Sequence, residues 1–171
     1  MSDKIKIISA GGTIDKVYFD ANSEFQVGEP QVQHILEEAN VSFDFEIESV
    51  LRKDSLEIDD ADRQLILKKV EQSEEKRIII THGTDTMATT ARVLEEVKDK
   101  VIVFTGSMQP AKIRSSDAVF NVGCAITAVQ LLQPGSYIAM NGKIIPASAA
   151  VKNYAEQRFE ANDGSAIRSK F

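Results

Sequence analysis

The sequence predicts an α/β fold with three layers, in which a mostly parallel β-sheet is covered by helices on both faces, as in Rossmann-like and flavodoxin-like proteins. Segments with the pattern of β-strands alternate with segments of helical periodicity along most of the 171 residues. Several predicted strands are almost continuously apolar, which is typical of parallel strands buried on both faces. The length suits one domain, and we expect residues 1–171 to form a single one.

Four elements are predicted in the first part of the chain. The apolar run 5–10 ends next to two glycines and predicts a buried strand. Apolar residues at helical spacing predict a helix over 29–39, and clean alternation over 43–51 predicts a half-exposed strand. Residues 59–73 predict an amphipathic helix with acidic residues in its first turn.

The second part continues the alternation. Buried strands are predicted at 77–83 and 100–107, and each is followed by a predicted helix, at 85–97 and 115–132. Residues 136–147 predict a strand or a hairpin that turns at an Asn-Gly pair. The rest of the chain shows no clear periodicity, so no element is predicted there.

Composition and charge exclude several classes of function. The net charge of −6, from 20 basic and 26 acidic residues, offers no electrostatic basis for binding nucleic acid. No apolar run approaches the ~18 residues of a membrane span, and the N-terminus lacks the features of a signal peptide. The single cysteine, Cys124, is expected to be a buried structural thiol. These features predict a cytoplasmic protein that contacts neither nucleic acid nor a membrane.

The residues that follow the predicted strands are the candidates for function, because ligands of parallel α/β sheets bind beyond the carboxyl ends of the strands. Four such segments, 11–15, 53–58, 82–87 and 105–111, are rich in hydroxyl groups, glycine or carboxylates. This composition at four separate strand ends indicates a ligand site more strongly than any one segment alone.

Two Gly-Thr pairs stand out among these segments. Gly12 allows the main chain to approach a ligand closely, and Thr13 then presents its hydroxyl. Gly83 and Thr84 lie at a helix entrance, where N–H groups stabilise an anion or a developing oxyanion, and Asp85 is suited to binding a substrate ammonium. The alternative is structural: Thr84 or Asp85 would also serve as a helix cap, and Thr13 as a turn residue.

Other candidates are weaker when taken alone. Ser55 is equally typical of a turn, and Lys152 of a solvated side chain, because a lysine that activates a hydroxyl must be desolvated or lie beside other charges. His82 is expected to be a structural histidine. The sequence contains no recognisable catalytic triad, metal-ligand cluster or Walker loop, so we expect no metal and no cofactor. Hydroxyl nucleophiles with a lysine indicate acyl transfer.

Together these motifs resemble the bacterial-type L-asparaginase family. The segments "ISAGGTID" and "IIITHGTDTMATTA" resemble its two signature sequences, and the similarity continues through "VIVFTGSMQPAKIRSSDAVFNV" and "GKIIPASAAVKNYAEQRFEA". The resemblance runs in order over nearly the whole chain. It implies the N-terminal domain of that family and an enzyme that hydrolyses asparagine, and sometimes glutamine, to the acid and ammonia.

The resemblance implies a role for each candidate residue. Thr13 would be the nucleophile, and Thr84 the second essential threonine, which pairs with Lys152. Asp85 would hold the α-amino group of the substrate, and Ser55 its α-carboxylate. The residues implied to bind the substrate are Ser55, Asp85, Gly12 and Gly83.

The chain departs from the family pattern in three ways. Family members carry a second, C-terminal domain, which adds an acidic residue near the nucleophile of a neighbouring subunit, and we expect that domain to be absent here. The mobile loop after the first signature carries Phe25 where the family has an activating tyrosine, and Tyr18 on the same loop is a candidate replacement. Leu56 follows Ser55 where a polar residue is common.

These departures leave alternatives open. The first hypothesis is an asparaginase-like amidohydrolase, which we expect to be a homodimer or larger. The second is a catalytically weak or inactive module that binds aspartate or asparagine, since Phe25 cannot form a hydrogen bond. A third, with the same chemistry, is an amidase subunit that delivers ammonia to a partner chain, as in tRNA-dependent amidotransferases.

Overall fold

The central sheet has six strands in the order β4-β1-β5-β6-β7-β8, and the first five of these are parallel. This architecture comes from a computed structural model, which describes residues 3–19 and 24–162. The strands are β1 (Ile5–Gly11), β2 (Lys16–Phe19), β3 (Glu24–Val27), β4 (Phe45–Lys53), β5 (Arg77–Thr81), β6 (Val101–Thr105), β7 (Gly135–Met140), β8 (Lys143–Pro146), β9 (Ala150–Asn153) and β10 (Arg158–Ala161). The α-helices are α1 (Val32–Glu38), α2 (Asp60–Gln72), α3 (Met87–Val93) and α4 (Ala118–Leu131).

The helices cover both faces of the sheet, which confirms the predicted three-layer α/β class. Side chains of α2 and α3 pack with Ile8, Ile78 and Ile80 in one core cluster, and those of α1 and α4 pack with Ile7 and Ile79 in the other. Successive strand residues thus point to opposite helix layers, which requires the continuous apolar runs seen in the sequence. No helix within the described residues has the length and apolar character that a membrane crossing needs.

The strand order has its switch point between β1 and β5. The chain leaves β1 towards β4 on one side, whereas β5, its hydrogen-bonded neighbour on the other side, continues towards β6. This is the flavodoxin-like order, in which the crevice at the carboxyl ends of the two central strands receives the ligand. The fold therefore directs attention to the residues that follow Gly11 and Thr81.

Most predicted elements are confirmed, with shifted ends. The helix predicted over 85–97 begins only at Met87, and its last residues form a 3-10 turn. The Asn-Gly hairpin is confirmed: β7 and β8 are antiparallel, and Asn141 and Gly142 have φ values of 55° and 77°, as a tight hairpin turn requires. Cys124 is only half-buried on α4, so the expectation of a buried thiol was wrong.

Two small hairpins were missed by the sequence analysis. β2 pairs with β3, and β9 pairs with β10, each over four residues. Strands this short do not provide enough alternation to be distinguished from a loop. Both hairpins flank the carboxyl edge of the sheet, and β9 carries Lys152.

Candidate active site

Two Gly-Thr turns meet at the switch point of the sheet. Gly12 has a φ of 86°, and a Cβ atom added to it would lie 2.3 Å from the main-chain nitrogen of Gly83. The main-chain N–H of Gly12 donates to the carbonyl of Lys53 at 2.9 Å, which joins the end of β4 to the same place. Only glycine permits backbones to approach this closely with that φ value. The structure therefore packs the turn that contains Gly12 and Thr13 against the turn that contains Gly83 and Thr84.

Ser55 lies under the second of these turns. Its side chain is buried, its hydroxyl oxygen accepts the main-chain N–H of Asp85 at 3.2 Å, and its carbonyl accepts the Thr86 hydroxyl at 2.7 Å. A Cβ atom on Gly83 would lie 2.6 Å from the Cβ of Ser55. A capping box between Asp54 and the residue three positions later fixes this turn. Ser55 is therefore positioned against the Thr84–Asp85 segment.

Lys152 completes the cluster from the far end of the chain. Its ammonium donates to the Thr84 hydroxyl at 2.8 Å and to the Asp85 carboxylate at 2.7 Å. Phe159, opposite Lys152 in β10, is fully buried and anchors the hairpin on the core. Arg92 of α3 ties the start of β9 through a 2.8 Å bond to the carbonyl of Ala150. The lysine is thus held over two groups that lie 68 and 67 residues away in sequence.

The capping alternative for Thr84 and Asp85 is contradicted by this geometry. The N-cap of α3 is Thr86, which makes no side-chain capping bond. Thr84 and Asp85 precede it, and their side chains contact Lys152 instead. Neither side chain is therefore used to cap the start of α3, and both can contact a ligand or take part in a reaction.

His82 holds the second Gly-Thr turn from beneath. The imidazole is fully buried, with Nδ1 at 2.7 Å from the carbonyl of Gly83 and Nε2 at 2.9 Å from the Thr90 hydroxyl. Burial lowers the pKa of His82 to about 4, so the ring is neutral near pH 7. A neutral ring must donate from Nδ1 to the carbonyl, and Nε2 then accepts from Thr90. The prediction of a structural histidine is confirmed.

The fourth strand-end segment, 105–111, uses its hydroxyls for structure. Thr105 donates to the carbonyl of Ala139 at 2.9 Å, and Ser107 donates to the carbonyl of Gln109 within its own turn. This segment supports the site through Gly106, whose Cα lies so near the His82 carbonyl that an added Cβ would be 2.3 Å from it. The expectation that all four strand ends present groups to a ligand is therefore not met at this one.

Tyr18 and Phe25 are directly opposite each other in the β2–β3 hairpin. Their rings meet edge to face with centroids 5.8 Å apart, and both are about half exposed. Residues directly opposite in an antiparallel pair lie on the same face. Tyr18 thus presents its hydroxyl on the same side of the hairpin as Phe25, and its role as a loop activator stays a prediction.

Asp15, two residues after Thr13, was missed by the sequence analysis. Its side chain is 1% exposed, and its two carboxylate oxygens accept the main-chain N–H of Gln31 at 2.8 Å and the hydroxyl of Ser9 at 2.9 Å. Burial raises the pKa of Asp15 to about 6, against the lowering effect of those two hydrogen bonds. Asp15 thus secures the base of the β2–β3 hairpin to β1.

This buried carboxyl predicts a pH dependence of stability. Between pH 3.8 and about 6 the folded state keeps a proton that the unfolded state releases, so the contribution of Asp15 weakens as pH rises. Above pH 6, ionisation of Asp15 in the folded state lowers the free energy of unfolding by its full amount, about 3 kcal/mol. In Asp15→Asn the side chain carries no charge at any of these pH values. Its amide oxygen can accept the main-chain N–H of Gln31, and its NH₂ group can donate to the Ser9 hydroxyl. Urea unfolding of both proteins at about pH 4, 5, 6 and 7 measures the difference, and parallel stability profiles would contradict the prediction.

The residues in contact form a site of hydroxyls, one lysine and one carboxylate. Within residues 3–19 and 24–162, no three His, Cys, Asp or Glu side chains are grouped so as to hold a metal ion. A parallel α/β sheet with such a cluster at its switch point defines a class of proteins that bind small molecules at this edge. The comparison with known proteins identifies the family.

The family model for the asparaginase N-terminal domain matches residues 4–167. The chain belongs to the asparaginase family. It is 32% identical over 154 residues to an L-asparaginase of Thermococcus kodakarensis, an alignment that covers 83% of this chain and 45% of that protein. It is 31% identical over 156 residues to L-asparaginase 2 of Escherichia coli, with 82% of this chain and 44% of that protein covered.

The similarity extends to solved structures. The thermostable L-asparaginase from Thermococcus kodakarensis matches with a TM-score of 0.81 and 28% identity, over 92% of this chain and 51% of that one. The chain therefore spans about half the length of the asparaginases it matches.

Proposed function

We propose that this chain is an asparaginase-type amidohydrolase that converts L-asparagine to L-aspartate and ammonia. The observation that carries the proposal is the double contact of Lys152 with the Thr84 hydroxyl and the Asp85 carboxylate, beside the Gly12–Thr13 turn. This cluster combines a hydroxyl nucleophile, a hydroxyl–lysine pair and a carboxylate for recognition within one crevice. Membership of the asparaginase family supports the same activity.

The substrate would be held by its two charged groups. Lys152 occupies one oxygen of the Asp85 carboxylate, which leaves the other for the α-ammonium of the substrate. The Ser55 hydroxyl accepts from the Asp85 main chain and keeps its own proton to donate to the α-carboxylate. Gly83 and Gly12 allow these segments to pack closely against each other, with no side chain between the two turns. These contacts would select an α-amino acid.

The reaction would proceed through an ester on Thr13. The Thr13 oxygen bonds to the carboxamide carbon while its proton passes through the Thr84 hydroxyl to Lys152, which must take part in this step as the neutral amine. Main-chain N–H groups stabilise the developing oxyanion. The C–N bond then breaks and the nitrogen leaves as ammonia with that proton. Water hydrolyses the ester to the free acid and restores the Thr13 hydroxyl. This chemistry needs neither a metal nor a cofactor.

We further propose that the protein acts as a homodimer or larger assembly in the cytoplasm. The cluster lies at one edge of the sheet and is bordered by two small hairpins. Charged reactants gain most from catalytic groups when water is excluded. A second chain packed over the carboxyl ends of the strands would exclude water from the site.

A second candidate function is the binding of aspartate or asparagine with little catalysis. Phe25 favours it, because a phenyl ring on the β2–β3 hairpin cannot help to remove a proton from Thr13. Loss of such assistance costs about 10²- to 10⁴-fold in rate. Binding by Ser55 and Asp85 would be unaffected.

Purified protein tests these functions by ammonia release from L-asparagine and L-glutamine, together with calorimetric titration of L-aspartate. Turnover of either amide would support the amidohydrolase. Thr127→Val, a substitution on the distant surface of α4, is the control and should leave that turnover unchanged. Aspartate binding without turnover would support the binding module instead. If the protein shows no turnover and binds no aspartate, both functions are refuted.

A further inference from the structure

Tyr154 lies beside the candidate site and has no role in the proposed reaction. It follows Lys152 by two residues, in the turn that joins β9 to β10. The Lys152 ammonium sits over its ring, 4.7 Å from the ring centroid. The same ammonium is bonded to Thr84 and Asp85. The aromatic face of Tyr154 therefore covers the charged pair from its outer side.

The hydroxyl of Tyr154 is close enough to Asp85, the other member of that pair, to be affected by its charge. Burial raises the pKa of this hydroxyl, and the negative charge of Asp85 and a hydrogen-bonding contact with it raise the pKa further. Tyr154 thus contacts the lysine with its ring and has its polar end near the carboxylate.

Structural support does not account for this placement. Tyr154 is 64% exposed and lies in a turn whose neighbouring residues, from Ala155 to Arg158, are also exposed. Little apolar area is removed from water by the ring, so its contribution to folding is small. The fold itself is anchored nearby by buried Phe159. A large aromatic side chain at an exposed turn above a charged pair is better explained by contact with a ligand.

We propose that Tyr154 is a specificity-determining residue that forms the outer wall of the subsite for the α-ammonium of the amino-acid substrate. The ligand class rests on the proposed function. An ammonium bound to the Asp85 oxygen that Lys152 does not contact would lie near the same ring that attracts the Lys152 ammonium. A ring face attracts a second cation in the same way. A dicarboxylate without an amino group gains nothing from the ring. Tyr154 therefore discriminates L-aspartate from succinate, which lacks only that group.

The test is calorimetric titration of L-aspartate and succinate into wild type, Tyr154→Ala and Tyr154→Phe. We expect Tyr154→Ala to weaken aspartate binding about 3- to 30-fold, in line with ordinary cation–π contributions, and to leave succinate binding within about twofold. Tyr154→Phe keeps the ring and should retain most of the affinity. Glu156→Ala, in the same turn, is the matched control and should change neither ligand.

Several outcomes separate this inference from the proposed function. Equal weakening of aspartate and succinate by Tyr154→Ala, or no weakening of either, would overturn the role of Tyr154 and leave the amidohydrolase standing if wild type releases ammonia. In an active enzyme the effect should appear in KM for asparagine rather than in kcat, whereas a residue that only positions Lys152 would lower kcat. Aspartate binding without turnover would remove the catalytic proposal and still test Tyr154. A wild type that neither releases ammonia nor binds aspartate overturns both.

Discussion

Replacing Thr84 by valine is expected to lower the rate of ammonia release from L-asparagine by about 10²- to 10⁴-fold, the usual contribution of a group that transfers a proton in the transition state. Valine matches threonine in shape but has no hydroxyl. Lys152 would keep its 2.7 Å bond to Asp85 and lose its 2.8 Å bond to residue 84. The connection between the lysine and the nucleophile would then be broken, with little change in packing.

The matched control for this change is Thr84→Ser, which keeps the hydroxyl and should retain most of the activity. Calorimetric binding of L-aspartate should remain within a few fold in both variants, because Asp85 and Ser55 are untouched. Thr13→Ala should abolish turnover as well, and the double variant should be little worse than the worse single one, since the two threonines act in one step. Undiminished turnover by Thr84→Val would exclude the Thr84–Lys152 pair from the mechanism.

Replacing Gly12 by alanine should cause the largest loss of stability. The added Cβ would lie 2.3 Å from the nitrogen and 2.4 Å from the Cα of Gly83, and the φ of 86° is unfavourable for any side chain. Both neighbours are backbone atoms that cannot rotate away, so β1 and the Gly83 turn must separate. We expect a loss of at least about 3 kcal/mol, which lowers the melting temperature by roughly 6–12 °C in a domain of this size. Aspartate binding should be lost together with stability.

Gly123→Ala is the matched control for Gly12→Ala. Gly123 lies in the middle of α4, where an added Cβ would meet no atom within 4 Å. Alanine at a helix interior is favoured over glycine by about 0.5–1 kcal/mol, so this variant should melt slightly higher than wild type. Thermal unfolding followed by circular dichroism measures both proteins. A Gly12→Ala protein that melts within a degree of wild type would show that the two turns are not in contact.

Local sequence patterns were sufficient to predict the strands of the central sheet and to identify the family. Apolar runs predicted β1, β5 and β6 because a strand buried on both faces needs an apolar residue at every position. They failed for β2–β3 and β9–β10, because a hairpin of four-residue strands is stabilised by what it packs against, such as Phe159 in the core. The capping alternative for Thr84 and Asp85 failed for a similar reason, since Lys152, distant in sequence, contacts both side chains.

The sequence by itself determined the chemical groups of the site and the class of the fold. Thr13, Thr84 and Asp85 lie in short motifs directly after predicted strands, and such motifs and periodicities are properties of neighbouring residues. Tertiary structure alone decided which groups meet. The order of strands places β1 beside β5, and the β9–β10 hairpin brings Lys152 across 68 residues to Thr84. The burial that raises the pKa of Asp15 and the position of Tyr154 beside the Lys152–Asp85 pair depend on atoms from distant segments, and no local pattern contains them.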